Sequence, residues 1–163
     1  MSLRESGGVS AGDQAPDFRL VSQTQEMVRL GDLIGDKAVV LYFYPKDDSP
    51  GCTAEACSFR DGYEAFVEAG AEVVGVSSDS AESHKRFAAK NSLPFILLSD
   101  AGGEVRKLYG VPFTLGLFPG RVTYVIDKGG TVRHVFSSQL GTTRHVDEAM
   151  KVVRALNEEE PPG

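Results

Sequence analysis

The chain has two cysteines, Cys52 and Cys57, and both lie in one stretch, residues 45–57 (Pro-Lys-Asp-Asp-Ser-Pro-Gly-Cys-Thr-Ala-Glu-Ala-Cys). An apolar run at 38–44 precedes this stretch and an amphipathic pattern follows it. The pattern predicts a strand that ends in a Pro/Asp/Ser turn and leads directly into a helix. Ser49 suits the N-cap, and Pro50 suits the first helical position, where its missing N–H costs nothing. Cys52 then sits in the first turn, among free N–H groups and the partial positive charge of a helix N-terminus. Such surroundings stabilise a thiolate and lower a cysteine's pKa. The chemistry to expect is that of a reactive thiol with a second thiol close by.

The spacing of the pair constrains that chemistry. On an intact helix five residues are a rise of ~7.5 Å and a turn of ~140°, so the two Cα atoms stand roughly 8–9 Å apart. A disulfide needs about 4.4–6.8 Å. The thiols join only if the first turns of the helix unwind or shift, and a helix end is a cheap place to open locally. A transient bridge fits this spacing better than a permanent one. The plainer alternative for Cys57 is a small residue packed near the apolar face of the helix.

The elements that hold this stretch follow from hydrophobic period and turn chemistry. Residues 1–12 read as a flexible lead-in, 13–157 as one domain and 158–163 as a loose acidic tail. Short alternating stretches at 15–20 and 27–30 suggest a small hairpin, with a helical turn at 32–35. The run 38–44, apolar almost throughout, fits a central strand covered on both faces. From Cys52 to Ala69 the residues Ala56, Phe59, Tyr63, Phe66 and Val67 fall on one helical face, and Gly70 stops the helix. A strand at 71–77 follows, then a helix from Ser80 that ends near Asn91 and Pro94, a strand at 95–98 and a short helix to Tyr109. Beyond a Gly/Pro-rich loop at 110–120, strands at 122–126 and 131–136 form a hairpin, and a helix from about 143 to 156 closes the chain. Strands separated by helices imply parallel neighbours, and the hairpin adds antiparallel ones. The expected fold is therefore α/β: a mixed central sheet with helices on both faces, as in the thioredoxin-like architecture.

Composition narrows the function. A net charge of −6 argues against nucleic acid or anionic membrane as partners, and no run is long enough to span a membrane. Two cysteines are too few for a disulfide scaffold, and His84, His134 and His145 are too scattered to complete a metal site. A general thiol–disulfide oxidoreductase would carry Cys-x-x-Cys, which this chain lacks. A redox sensor whose disulfide changes its shape would use the same helix unwinding, and the sequence leaves that role open beside an enzymatic one.

Several separated motifs then carry a resemblance. Pro45-xxx-Ser49-xx-Cys52 resembles the Pro-x-x-x-Thr/Ser-x-x-Cys signature of peroxiredoxins, and Cys52-xxxx-Cys57 resembles the peroxiredoxin Q / bacterioferritin comigratory protein branch. Residues 42–53, 59–61, 97–100, 110–112 and 119–127 are similar to that branch as well, so the likeness runs from about Gly12 to Leu156. Ser49 stands where many relatives have threonine and keeps the hydroxyl. The resemblance implies a thiol-dependent peroxidase acting on hydrogen peroxide or alkyl hydroperoxides. Cys52 would be the peroxidatic cysteine, becoming a sulfenic acid, and Cys57 the resolving cysteine that forms an intramolecular disulfide. Arg121 would hold the thiolate and the peroxide, Ser49 would hydrogen-bond the peroxide, and Pro45 would shape and shield the loop. A thioredoxin or glutaredoxin-like dithiol would reduce the disulfide, with no cofactor or metal. There is no third cysteine and no Gly-Gly-Leu-Gly or Tyr-Phe motif near the C-terminus. By resemblance, that implies a monomer resistant to overoxidation. The compartment expected is the cytoplasm for a bacterial chain and the chloroplast for a mature plant-type chain. The apolar loop at 114–118 is a weak candidate for accepting an alkyl chain.

Overall fold

The structure is a computed structural model that describes residues 8–111, 113–114, 118–119, 121–138 and 142–159. In chain order the elements are β1 (Arg19–Ser22), β2 (Met27–Arg29), α1 (Leu30–Leu33), β3 (Ala38–Phe43), α2 (Pro50–Glu68), β4 (Ala71–Ser77) and α3 (Ala81–Asn91). There follow β5 (Ile96–Ser99), α4 (Glu104–Tyr109), β6 (Phe113–Thr114), β7 (Phe118–Pro119), β8 (Val122–Ile126), β9 (Val132–Ser137) and α5 (Thr142–Glu159). Seven strands form one sheet in the order β2-β1-β5-β4-β3-β8-β9. β4 runs parallel to both β3 and β5, and the remaining pairs are antiparallel. This is the mixed thioredoxin-like sheet that the α/β pattern predicts.

Every residue of β3 is buried, as its unbroken apolar run requires of a strand with covered faces. Its alternation sorts two cores. Val40, Tyr42 and Tyr44 pack with Phe59 and Phe66 of α2, Phe87 of α3, and Val153 and Leu156 of α5. Val39, Leu41 and Phe43 pack on the opposite face with Leu30 of α1 and Val105 and Tyr109 of α4. The helices therefore lie on both sides of the sheet, and β3, with parallel and antiparallel neighbours, runs through its middle.

Several boundaries differ from the sequence reading. β3 stops at Phe43, although the Tyr44 N–H still bonds the Val76 carbonyl at 3.0 Å. α2 does start at Pro50 after Ser49, as the sequence reading expects, so Cys52 is its third residue. Val67, expected on the inner face, is 49% exposed, because the buried stripe of α2 is set by Cys52, Glu55, Ala56, Phe59 and Phe66. Within the loop expected at 110–120, β6 and β7 pair Phe113 with Pro119 and Thr114 with Phe118. The rest of the candidate alkyl-chain loop at 114–118 lies outside the described residues, as does Pro112.

The two chain ends also differ where they are described. Of the lead-in, Val9 N–H bonds the Tyr109 carbonyl at 3.0 Å and Gly12 N–H the Val132 carbonyl at 2.7 Å, so residues 8–12 are held against the domain. α5 continues through Glu158 and Glu159, and Arg133 reaches the Glu159 carboxylate at 3.0 Å. Residues 1–7 and 160–163 lie outside the described residues. Among the described residues no helix is long and apolar enough to cross a membrane.

Candidate active site

The junction between β3 and α2 places a cysteine at the carboxyl end of a central strand, the usual position for a site in an open α/β sheet. The connecting residues 44–49 turn sharply, with Asp48 in the left-handed region at φ 67°. Ser49 is the N-cap residue, yet its hydroxyl does not cap α2. It donates instead to the Lys46 carbonyl at 3.0 Å, closing the turn within the loop. Pro45, half-buried, lies at the bend that follows β3 and opens that turn.

Cys52 is 1% exposed and carries a free thiol. Arg121 Nη1 donates to its sulfur at 3.4 Å and to Glu55 Oε1 at 2.6 Å. The topology explains how residues 69 positions apart meet. β8 runs antiparallel to β3, and Phe43 pairs with Val122, so the residue just before β8 faces the end of β3. Glu55 is three residues after Cys52, one turn along the same helical face. Arg121 and Glu55 are 6% and 0% exposed. Burial works against the Arg121 cation, but Glu55 and Cys52 beside it outweigh that and hold its guanidinium above the ordinary value. For Glu55 burial dominates even the Arg121 contact, and its carboxyl is pushed up to about 7.

Behind Glu55 lies His145 of α5, fully buried. Its Nε2 donates to the Ser138 carbonyl at 2.8 Å, its Nδ1 is 2.7 Å from Thr123 Oγ1, and Glu55 Oε2 stands 3.6 Å from Nδ1. Glu55 Oε2, Arg121 Nε and the Tyr42 hydroxyl are buried without a hydrogen-bond partner among the described residues. Burial keeps the Tyr42 hydroxyl well above its ordinary value, so it stays protonated, and its ring stacks on Phe59 at 4.4 Å.

Cys57 also carries a free thiol, half-buried on the unbroken α2. It faces away from Arg121, toward the end of α3, where its sulfur lies 3.8 Å from Asn91 Oδ1. Arg60, three residues on, donates to the Asn91 carbonyl at 2.9 Å and ties this turn of α2 to α3. The structure thus brings Cys52 and Arg121 together, keeps Ser49 and Pro45 in the adjoining loop, and leaves Cys57 in separate surroundings.

A second buried network fixes the loop from the other side. Asp47 accepts from the Tyr44 hydroxyl at 2.7 Å, the Ser83 hydroxyl at 2.8 Å and His84 Nδ1 at 2.7 Å, while its own N–H bonds Asp79 at 2.7 Å. Burial alone would raise the Asp47 carboxyl. The His84 contact, joined by Tyr44 and Ser83, prevails and holds it below its ordinary value. His84 also faces the Leu98 carbonyl at 2.9 Å. The ring is thus held at both nitrogens, between the Asp47 carboxylate and the Leu98 carbonyl.

The sequence reading missed Glu55, His145, Asp47 and His84. Glu55 left a signal, a carboxylate inside the stripe that buries Cys52, Ala56 and Phe59. The other three carry no local signal: His84 and His145 are held by other elements, and Asp47, apart from its neighbour Tyr44, is held by Asp79, Ser83 and His84.

In sequence and fold the chain is similar to known proteins. The AhpC/TSA family matches residues 11–135. Chloroplastic peroxiredoxin Q of Sedum lineare is 53% identical over 149 residues, covering 91% of this chain and 80% of the relative. The chloroplastic peroxiredoxin Q of Arabidopsis thaliana is 52% identical over 148 residues, covering 90% and 68%. Among solved structures, peroxidoxin BcpB from Mycobacterium tuberculosis superimposes with a TM-score of 0.85 at 40% identity, covering 91% of this chain and 98% of that one. Xanthomonas campestris peroxiredoxin Q gives 0.79 at 29% identity, covering 86% and 91%.

Proposed function

The chain belongs to the AhpC/TSA family as a peroxiredoxin of the peroxiredoxin Q type, a thiol peroxidase, and from that premise we propose that Cys52 and Cys57 divide the reaction between them. The single observation that carries the assignment is the Arg121 guanidinium, shared between the Cys52 sulfur and Glu55 in a buried site.

Cys52 attacks as the thiolate. A sulfur–oxygen bond forms as the peroxide O–O bond breaks, giving a sulfenic acid and releasing water or an alcohol. Arg121, a permanent cation with several donors, steadies the thiolate before attack and the charge that moves onto the leaving oxygen. Pro45 and Ser49 shape the entrance to the sulfur. The Ser49 hydroxyl gives its hydrogen to Lys46, so its oxygen is the part free to accept one from the peroxide.

Cys57 then attacks the sulfenic sulfur, water leaves, and an intramolecular disulfide results. The step requires the first turns of α2 to open, since the two thiols lie on different sides of a continuous helix. A dithiol protein of the thioredoxin or glutaredoxin kind reduces the bridge by exchange. Hydrogen peroxide and alkyl hydroperoxides are the substrates of this reading. The chloroplastic relatives favour the plastid as its compartment, and the cytoplasm is the alternative for a bacterial chain.

Intact mass of the reduced protein after one equivalent of hydrogen peroxide, with alkylation at the end, tests the assignment. A loss of about two mass units with no alkylation is expected for the Cys52–Cys57 disulfide. A gain of about sixteen with one thiol alkylated would leave Cys52 reactive and remove Cys57 from the mechanism. An unchanged mass on folded protein would overturn the reading altogether.

A further inference from the structure

Attack by a thiolate on a peroxide moves a negative charge from sulfur to the leaving oxygen, and here the sulfur is almost sealed from water. The ionisable groups around it come from Glu55 of α2, Arg121 just before β8, and Tyr42 of β3, which stays neutral, with His145 of α5 behind Glu55. Arg144, the neighbour of His145 on α5, adds a positive influence on that ring.

The hydrogen-bond geometry leaves a gap among them. His145 Nε2 faces a carbonyl and so must carry a hydrogen. Nδ1 of the neutral ring has a single lone pair, which the Thr123 hydroxyl occupies at 2.7 Å, and Glu55 Oε2 stands beside that nitrogen at 3.6 Å, within ion-pair reach. That carboxylate oxygen has no donor among the described residues. With Cys52 as thiolate and Glu55 ionised, two negative charges share one guanidinium in a buried site. A proton held on Glu55 Oε2, or on His145 Nδ1 with the Thr123 hydroxyl turned to accept it and Glu55 as the facing counter-ion, would remove the excess charge. Burial favours the uncharged form of each group, pushing the Glu55 carboxyl up to about 7 and the His145 imidazole down.

We propose that Glu55 and His145 together hold one proton while Cys52 is a thiolate and give it up as the sulfur is oxidised. The inference rests on the peroxidase reading above. In the step, the Cys52 sulfur forms a bond to one peroxide oxygen, the O–O bond breaks, and two electrons pass from sulfur to the peroxide. The leaving hydroxide or alkoxide is protonated and departs as water or alcohol, and the proton lost by the pair balances that demand. Before the step, thiolate, guanidinium and protonated pair sum to zero. After it, sulfenic acid, guanidinium and Glu55 carboxylate again sum to zero, so the buried site stays neutral throughout.

The test is proton stoichiometry. Reduced wild-type protein is mixed with one equivalent of hydrogen peroxide in lightly buffered solution containing a pH indicator. The pH is one at which ultraviolet absorbance reports the Cys52 thiolate. If the pair supplies the proton, uptake from solvent is near zero; if it does not, about one proton per oxidised site is taken up. Glu55→Gln, which cannot release a proton, should take up about one, and His145→Gln should take up clearly more than wild type. Wild-type uptake of about one proton would overturn the proposal, and His145→Gln behaving as wild type would reduce the pair to Glu55 alone and overturn it equally. The wild-type value decides even if a variant fails to fold. If Cys52 is not oxidised at all, as read by intact mass in the same sample, it is the peroxidase reading that fails.

Discussion

Glu55 occupies an inward position on α2 that packing alone would give to an apolar residue, and its isolation from water has a measurable consequence. Its carboxyl titrates at about 7 in the folded chain against an ordinary value of 4.5. Between those values the folded state holds a proton that the unfolded state has lost, so stability falls as pH rises. The contribution is complete below 4.5 and is lost as pH climbs through 7, a difference of about 3 kcal/mol. Glu55→Gln lacks this term and should gain on wild type by roughly that amount from acid to mildly alkaline pH, read from urea midpoints. A constant difference between the two proteins would show that Glu55 titrates alike in the folded and unfolded chains. Asp47 acts in the opposite sense: its lowered carboxyl adds stability above its ordinary value that is lost as pH falls. At this scale the sequence made Cys52 legible through its helix-start position and Cys57 through spacing, whereas Arg121 stood out only by resemblance. Asp47, His84 and His145 stayed hidden because a buried polar group is defined by the partner that satisfies it, and their partners arrive from other elements.

The elements were far more legible than the contacts between them. Period and turn chemistry located β3, α2, β4 and α3, and Ser80 does cap α3, accepting from the Ser83 N–H at 3.1 Å. The pairing of β1 with β5 left no mark in either segment, because strand partners are chosen by the whole sheet. Gly75, in the middle of β4, shows how tightly α2 and the sheet are matched. A Cβ there would lie 2.9 Å from both Tyr42 Cζ and Leu97 Cδ2. The Tyr42 ring has no room to retreat, since it is sandwiched against Phe59 of α2 and meets Phe95 edge-on. The strand therefore gives up a side chain so that an aromatic ring can fill the space beneath the helix that carries Cys52. Gly75→Ala should cost about 1–3 kcal/mol by overpacking, measured as a lower urea midpoint with an unchanged slope. A midpoint equal to wild type would mean that the ring moves freely and that α2 is not supported in this way.

For the molecule as a whole, the open question is how a seven-stranded sheet with two edges behaves beside copies of itself. Both edges are guarded by charge, a recognised defence against strand-to-strand association. On β9, Arg133 bridges Asp127 and Glu159, and His134 meets Glu148 at 3.0 Å. On β2, Arg29 pairs with Asp17 and Asp32. The large apolar side chains left exposed among the described residues are Met27, Val67 and Leu108. They belong to β2, α2 and α4 and so do not come from one surface element. A stable protein–protein interface commonly removes about 800 Å² from each partner, with an apolar centre. Scattered single residues and charged edges do not supply one. The expected state in solution is therefore a monomer, by sedimentation velocity at micromolar concentration, in both the reduced and the disulfide form. A stable dimer in the reduced form would require an interface built by residues outside those described. A dimer confined to the oxidised form would mean that opening the start of α2 uncovers the Tyr42, Phe59 and Phe95 cluster for a second copy, which would join peroxide reduction to assembly.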